Sequence, residues 1–216
     1  MSNDTANKTY HHGDLKEALL LASRNILSKK GADALSLRAI AADVGVSHMA
    51  PYSHFKNKKE LFQSIAASGF DELVERMISN SLSITNPSEL ILVYGVTYVE
   101  FAIDHPQLYR LMLGQVENVG RRFQNEPSTK KQGSLGGDVS QHETQALDVS
   151  FKRPFELLHQ TFAKIHHDES LVKAQALGAW SMVHGMAALL IEGQFKIPES
   201  MSIKEFLAMA TFQAPR

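Results

Sequence analysis

Residues 36–60 read SLRAIAADVGVSHMAPYSHFKNKKE, and this stretch decides the fold. Ser36 can cap a helix whose inner face carries Leu37 and Val44 at helical spacing. Gly45 follows at a point where the chain must reverse, which often requires a positive φ. The pattern predicts a helix, a tight turn and a second short helix. This is the layout of a helix-turn-helix that reads the major groove of DNA.

The second helix of this pair is predicted to begin at Ser47, whose hydroxyl and following N–H groups can face a phosphate. Pro51 should shorten or bend that helix, because proline has no backbone N–H. Asn57 and Glu60 have the spacing of a capping box for the next helix. The residues expected to contact base edges or phosphates are Ser36, Arg38, Ser47, His48, Met49, Ala50, Tyr52, Ser53, His54, Lys56 and Lys58.

An ordinary helical hairpin followed by solvated lysines would share part of this pattern. The tyrosine, histidine, phenylalanine and lysine at positions 52, 54, 55 and 58 favour the DNA-binding interpretation. Residues 37–61 resemble the DNA-binding signature of the tetracycline-repressor (TetR/AcrR) family of transcription regulators. The resemblance extends upstream to residues 10–15 and downstream to residues 98–109. Residues 180–185, with Trp, His and Gly at positions 180, 184 and 185, resemble the WHG C-terminal domain of one subgroup. From the first of these segments to the last, residues 10–185, the resemblance covers about four-fifths of the chain.

The composition fits this resemblance. The 216 residues carry a net charge of −1, but residues 1–65 hold nine Lys/Arg against six Asp/Glu, so the first part is basic and the rest acidic. The sequence has no cysteine, which excludes a disulfide framework. We find no leader pattern and no run of eighteen apolar residues, and therefore expect a cytoplasmic protein with no membrane partner. Helical periodicity without strand alternation predicts an all-α fold.

We expect a helix-turn-helix DNA-binding domain over residues 1–60, with a flexible arm over 1–12, and a helical ligand-binding and dimerisation domain over 61–216. The predicted helices span 14–30, 37–44, a short stretch from 47, 58–82, 88–104, 107–115, 146–166, 170–194 and a last one from 202. The polar stretch 117–143 is predicted to be a long loop, either a lid or a passive insertion. Pro154 either kinks its helix or marks the true start.

The family resemblance implies a homodimer that binds a palindromic operator, with the helices at 146–166 and 170–194 forming the interface between subunits. It also implies that a small molecule enters beneath the helix 58–82, changes its tilt and lowers the affinity for DNA, so that the protein acts as a repressor. Pro51 and Ser53 depart from the residues that many members carry there, so the operator sequence does not follow from the resemblance.

The candidate ligand contacts are aromatic, methionine and histidine residues on inward helix faces, which suit an uncharged apolar or aromatic effector. They are Phe70, Tyr94, Tyr98, Phe101, Met112, Phe155, His159, Phe162, Met182 and Met186. Plain core packing is the alternative for each of them. We expect no cofactor and no metal, because His159, His166 and His167 lack the i, i+4 spacing of a metal-binding pair. His184 is expected to be a hydrogen-bonded core histidine.

Two other classes of protein are alternatives to this interpretation. An enzyme is disfavoured because the sequence carries no nucleophile elbow, no glycine-rich phosphate loop and no paired carboxylates. A constitutive or architectural DNA-binding dimer would keep the helix-turn-helix but respond to no effector. Only DNA binding that a small molecule weakens separates the regulator from these alternatives.

Overall fold

A computed structural model describes residues 12–125 and 139–210, with side chains over 15–115 and 145–210. Within these ranges the chain is helical and contains no strand, which confirms the all-α prediction. The eight α-helices are α1 (His12–Lys30), α2 (Leu37–Val44), α3 (Lys58–Ser81), α4 (Pro87–Asp104), α5 (Pro106–Asn125), α6 (Val139–Phe162), α7 (Glu169–Ile191) and α8 (Ile203–Ala210). The arm expected over 1–12 lies outside the described residues, apart from its last residue.

The first three α-helices and two 3₁₀ helices, Ala32–Ala34 and Ala50–Ser53, form the head of the molecule. The Ser36 hydroxyl accepts the Ala39 N–H at 3.1 Å and caps α2, as predicted. Gly45 ends α2 with φ 79°, in the left-handed region that glycine tolerates best. The second helix of the pair differs from the prediction, because it is a 3₁₀ helix, Ala50–Ser53, rather than an α-helix from Ser47. Pro51 lies inside it and cannot donate the N–H that an α-helical turn would need.

Helix α3 joins the head to the rest of the molecule. It begins at its predicted cap, where the Asn57 side chain accepts the Glu60 N–H at 3.0 Å. The Glu60 carboxylate in turn accepts the Lys56 N–H at 2.7 Å, one residue before the N-cap, so the capping box closes on a neighbouring donor. Over its 24 residues α3 packs against α1 and against α4, α5 and α6. One helix therefore contacts both parts of the chain.

Helix α5 is longer than the sequence predicted. It continues to Asn125, and α6 already begins at Val139, so the loop expected over 117–143 is wrong at both ends. Its middle, 126–138, lies outside the described residues. Val116, Val119 and Phe123 recur at helical spacing, but the polar residues around them made this stretch look like a loop.

Helices α6, α7 and α8 complete the larger part. Helix α6 runs through Pro154 without a break, so this proline does not mark a helix start. The residues before α8 form the predicted capping box, since the Glu205 carboxylate accepts the Ser202 N–H at 2.7 Å and the Ser202 hydroxyl accepts the Glu205 N–H at 3.1 Å.

Helix α7 is apolar yet leaves one side uncovered. Among the described residues it is the one helix long and apolar enough to cross a membrane, judged by length and composition alone. Leu171, Leu177 and Leu189 are exposed, as are Gly178 and Gly185 between them. A helix that packs against a second subunit has the same composition, and this is the helix that the sequence assigned to an interface.

Candidate DNA-reading surface and ligand cleft

Backbone hydrogen bonds and buried side chains fix the conformation of the segment between α2 and α3. The Ser47 carbonyl accepts the Ala50 N–H at 3.0 Å, and the Met49 carbonyl accepts the Tyr52 N–H at 3.1 Å. Pro51 is buried, and its carbonyl accepts the N–H of Phe55, whose ring is fully buried. The backbone of this segment is therefore fixed independently of its outward side chains.

Most of the predicted DNA contacts are exposed on the head. Ser36, Arg38, Ser47, His48, Met49, Tyr52, Ser53, Lys56 and Lys58 are exposed, and Ala50 and His54 are half-buried. The Ser53 hydroxyl donates to the Ala50 carbonyl at 2.7 Å, so its proton is already engaged. The Lys58 ammonium lies 5.1 Å from the centre of the Phe62 ring.

A cleft of about 940 Å³ opens between α4, α6, α7 and α8 in the larger part of the molecule. Its described lining contains no Asp, Glu, Lys or Arg. The lining residues are Met77, Ser88, Ile91, Leu92, Tyr94, Gly95, Tyr98, Pro154, Leu158, Phe162, Ile165, His166, Gln175, Gly178, Ala179, Trp180, Met182, Val183, Leu207, Ala208 and Ala210. Such a lining suits a predominantly apolar, uncharged molecule.

Four of the predicted ligand contacts line this cleft and six lie elsewhere. The four are Tyr94, Tyr98, Phe162 and Met182. The other six are Phe70, Phe101, Met112, Phe155, His159 and Met186. Among these, Phe70 packs edge-on against Phe151 with 5.5 Å between centroids, and Phe155 packs edge-on against Trp180 at 6.0 Å. These contacts are those of core residues.

The cleft also contains residues that the sequence did not suggest. Helix α8 contributes Leu207, and α4 contributes Gly95, whose added Cβ would lie 3.3 Å from Val183. Trp180, noted only as part of a family pattern, lines the cleft and is the single tryptophan of the chain. Its spacing to His184 was the one available signal, because residues four apart share a helix face.

Tyr98 of the cleft lining forms hydrogen bonds with two further polar side chains, Tyr109 and His184. The Tyr98 hydroxyl is 3.1 Å from the Tyr109 hydroxyl and 3.1 Å from Nε2 of His184. Burial lowers the pKa of His184 to about 4, so the ring is neutral at pH 7. Burial, and after it Tyr109, raise the pKa of Tyr98, which keeps its proton. This site is therefore uncharged. The hydrogen bond predicted for His184 is present, but the residue is half-buried rather than part of the fully buried core.

A cluster of charged side chains connects the head to the end of α4. Arg24 of α1 pairs with Glu72 of α3, and Glu72 also accepts from Arg76 at 2.8 Å. Arg76 reaches the Asp104 carboxylate at 3.1 Å and Nε2 of His105 at 2.7 Å. We call these five side chains the ionic joint. Two side chains of α3, Glu72 and Arg76, therefore connect Arg24 of the head to Asp104 at the end of α4.

The ionic joint holds Glu72 charged and His105 neutral. Burial alone would raise the pKa of Glu72, but the hydrogen bonds and charges of Arg24 and Arg76 outweigh it, and the pKa falls below its ordinary value. Burial lowers the pKa of His105, against the attraction of Glu72 and with help from Arg76. A neutral His105 can accept the hydrogen bond from Arg76.

The histidines near the end of α6 do not gather ligands around a metal. Nε2 of His159 lies 3.2 Å from the Glu169 carboxylate. In the part of the chain that the structure describes, no three His, Cys, Asp or Glu side chains come together as a metal site would require.

The fold and these two surfaces define a DNA-binding protein with a helix-turn-helix head and a cleft-containing helical body. Two sequence profiles match it: "Bacterial regulatory proteins, tetR family" over residues 16–65, and "Tetracyclin repressor-like, C-terminal domain" over residues 91–210. Because the second match alone spans more than half of the chain, the chain belongs to the tetracycline-repressor family. Members of this family are transcriptional regulators, a class of protein that binds DNA and is generally not enzymatic.

Known relatives and solved structures agree with the fold. The nucleoid occlusion factor SlmA of Sodalis glossinidius is 28% identical over 191 residues, spanning 84% of this chain and 85% of that protein. A protein of unknown function from Rhodococcus sp. RHA1 is 25% identical, with a TM-score of 0.69 and 94% of each chain covered. AibR, solved with isovaleryl coenzyme A and operator DNA, is 18% identical with a TM-score of 0.52, covering 89% of this chain and 93% of AibR.

Proposed function

We propose that the chain is a homodimeric repressor that binds a palindromic operator and is released when an uncharged, apolar effector enters the cleft. The observation that carries this proposal is the shared use of α4. Its residues Tyr94 and Tyr98 line the cleft, and its C-terminal end, at Asp104, belongs to the ionic joint that reaches the head. An occupant that displaces α4 would therefore act on the head through α3.

The head supports the DNA-binding part of the proposal. The eleven residues proposed as DNA contacts lie on the surface of the head or half-buried in it. Arg38 precedes residues 47–53, which we call the reading segment, and Lys56 and Lys58 follow it. Lysine and arginine at these places suit phosphates, while the segment between them is free to meet base edges. One such short segment offers few base contacts, so useful affinity calls for two half-sites and hence a dimer.

The uncovered face of α7 supports the dimer. Gly178, which also lines the cleft, and Gly185 are exposed within one chain, and a Cβ added at either would meet no atom of the described residues within 4 Å. Small residues let two helices approach closely, and exposed leucines flank them. We assign α6 and α7 to a two-fold interface, residues 1–60 to the DNA-binding domain and 61–216 to the ligand-binding and dimerisation domain, and place the protein in the cytoplasm with its DNA.

The cleft supports control by a ligand. AibR binds isovaleryl coenzyme A and operator DNA, and a FadR regulator of Bacillus subtilis was solved with stearoyl-CoA. We take from these neighbours only that a fold of this kind can hold an effector with an apolar chain. A described lining without Asp, Glu, Lys or Arg indicates that here the enclosed part of the effector is neutral.

Operator selection tests the DNA-binding part. Purified protein is mixed with a random duplex pool at moderate salt, and bound sequences are recovered and read. We expect a palindrome with two half-sites about one helical turn apart. Failure to enrich any sequence, both before and after refolding to strip a co-purified ligand, would contradict the proposal.

Fluorescence of Trp180 tests the ligand-binding part, because this single tryptophan lines the cleft. Decan-1-ol, decanoate and decyltrimethylammonium share one alkyl chain and differ in head-group charge. We expect decan-1-ol to shift the emission at the lowest concentration and to weaken operator binding. Equal responses to all three would argue against an uncharged cleft.

A constitutive DNA-binding role is the second candidate, and one observation favours it. Several curated relatives at 25–28% identity are nucleoid occlusion factors rather than metabolic regulators. A chain with that role would bind its DNA sites with an affinity that occupancy of the cleft leaves unchanged. The titration with decan-1-ol in the presence of operator DNA separates the two candidates.

A further inference from the structure

We propose that the Met49 side chain contacts the C5-methyl group of a thymine in each operator half-site and sets the base preference at that position. This rests on the proposed function, because it requires the segment 47–53 to face the major groove. It adds the chemical identity of a base that the protein selects.

The composition of the reading segment is the first observation. Residues 47–53 include no Arg, Lys, Asn or Gln. These four residue types make the hydrogen bonds that distinguish guanine and adenine in the major groove. Base selection by this segment therefore depends on hydrogen bonds from Ser47 and His48 and on apolar contacts.

The exposure of Met49 is the second observation. Its side chain is 61% exposed, although methionine is apolar and the neighbouring Pro51 and Phe55 are buried. The Met49 backbone is fixed at φ −89° and ψ −20°, and its carbonyl accepts the Tyr52 N–H. A large apolar group thus projects from a rigid support at the centre of the segment.

The flanking charges are the third observation. Arg38 is exposed on α2, and Lys56 and Lys58 are exposed at the start of α3. Contacts of these groups with phosphates would place the segment over the groove. The thymine methyl is the apolar group on the major-groove edge of the bases, and apolar side chains recognise it. His48 and Ser47 remain to hydrogen-bond neighbouring bases.

Operator selection with matched variants tests the inference. The wild-type protein, Met49→Ala and Met209→Ala are each selected against the same random duplex pool. Met209 is 73% exposed on α8 and serves as the control for losing an exposed methionine. We expect one symmetric thymine position to lose its preference in Met49→Ala only. An unchanged profile in Met49→Ala, with the wild-type palindrome present, would overturn the inference and leave the proposed function standing.

Removing the methyl from the DNA gives a second test. Replacing the selected thymine by deoxyuridine in one half-site deletes only the methyl group. We expect the wild-type affinity to fall about three- to fivefold, as the loss of one buried methyl implies, and the Met49→Ala affinity to stay unchanged. A fall of the same size in both proteins would overturn the inference.

A change of preference gives a third test. Glutamine is close to methionine in length, and its amide can bond adenine N6 and N7 together. We expect Met49→Gln to exchange thymine for adenine at the same position. If the wild type itself enriches no palindrome, the proposed function and this inference fail together.

Discussion

The hydroxyl of Tyr98 and the Nε2 atom of His184 lie 3.1 Å apart, and their rings stack with 5.0 Å between centroids. Tyr98 is on α4 and lines the cleft, while His184 is on α7, the helix assigned to the dimer interface. This contact therefore ties the wall of the cleft to the proposed interface. Its strength can be measured without knowing the ligand.

Tyr98→Phe should destabilise the fold by about 1–3 kcal/mol. The substitution removes one hydroxyl and leaves two partners, the buried Tyr109 and the half-buried His184, without it. Urea unfolding measures the change in the free energy of unfolding. Tyr52→Phe is the control, because Tyr52 is 45% exposed, and it should leave stability within about 0.5 kcal/mol.

Acid should destabilise the protein through His184. Its pKa is about 4 in the folded chain against an ordinary 6.5, so the unfolded state binds the proton more readily. The stability from this group is fully present above pH 6.5 and is lost as the pH falls toward 4, up to about 3 kcal/mol. His184→Gln should flatten the decline of melting temperature between pH 6.5 and 4. A parallel decline in both proteins would assign the effect to other groups.

Glu72→Gln should weaken communication between the cleft and DNA. The substitution removes the charge that holds Arg24 and Arg76 together, while each pair is partly exposed and contributes only about 0.2–1 kcal/mol. We expect operator affinity without ligand to change less than about fivefold, and the decrease caused by decan-1-ol to shrink. Glu75→Gln, an exposed carboxylate one turn away, is the control.

Gly185→Leu should convert the proposed dimer to a monomer. Within one chain its Cβ meets no atom of the described residues within 4 Å, so a larger side chain fits unless a second subunit packs there. Sedimentation velocity reports the oligomeric state, and circular dichroism checks that the helices persist. Gly114→Ala is the control, since no atom of the described residues lies within 4 Å of its Cβ, and alanine in place of a helical glycine adds about 0.5–1 kcal/mol of stability. A Gly185→Leu protein that remains dimeric would remove α7 from the interface.

Lys58→Gln should weaken binding to all DNA sequences alike. A lysine that contacts phosphate releases about one counterion, so the slope of log affinity against log salt should fall by about 1. Fluorescence anisotropy with the selected operator and with unrelated DNA measures both values. Lys204→Gln, exposed on α8, should change neither.

The sequence predicted the elements that local chemistry determines. Ser36, Gly45 and Asn57 each mark a helix boundary where the structure has one, because capping and positive φ depend on near neighbours. The 3₁₀ character of the segment at Pro51 was only partly foreseen, as a shortening or bend. Length is harder where composition is polar, and for that reason α5 was predicted to end too early.

The cleft was harder to predict than the helices. Tyr98 and Phe101 are both buried on α4, yet one lines the cleft and the other lies beneath the Arg76 guanidinium at 5.4 Å. Periodicity assigns a helix face but not the depth along it. The ionic joint was missed for a related reason, since Arg24 and Glu72 are 48 residues apart. Pairs of this kind depend on how helices cross.

The rigid support beneath the reading segment has an evolutionary consequence. Pro51 and Phe55 are buried and pack against the rest of the head. The exposed side chains are different residues, Ser47, His48 and Met49. Outward residues can therefore be exchanged at little thermodynamic cost, because exposed substitutions seldom alter stability. A gene duplicate of this protein would need only a few such exchanges to address a different promoter while keeping its fold.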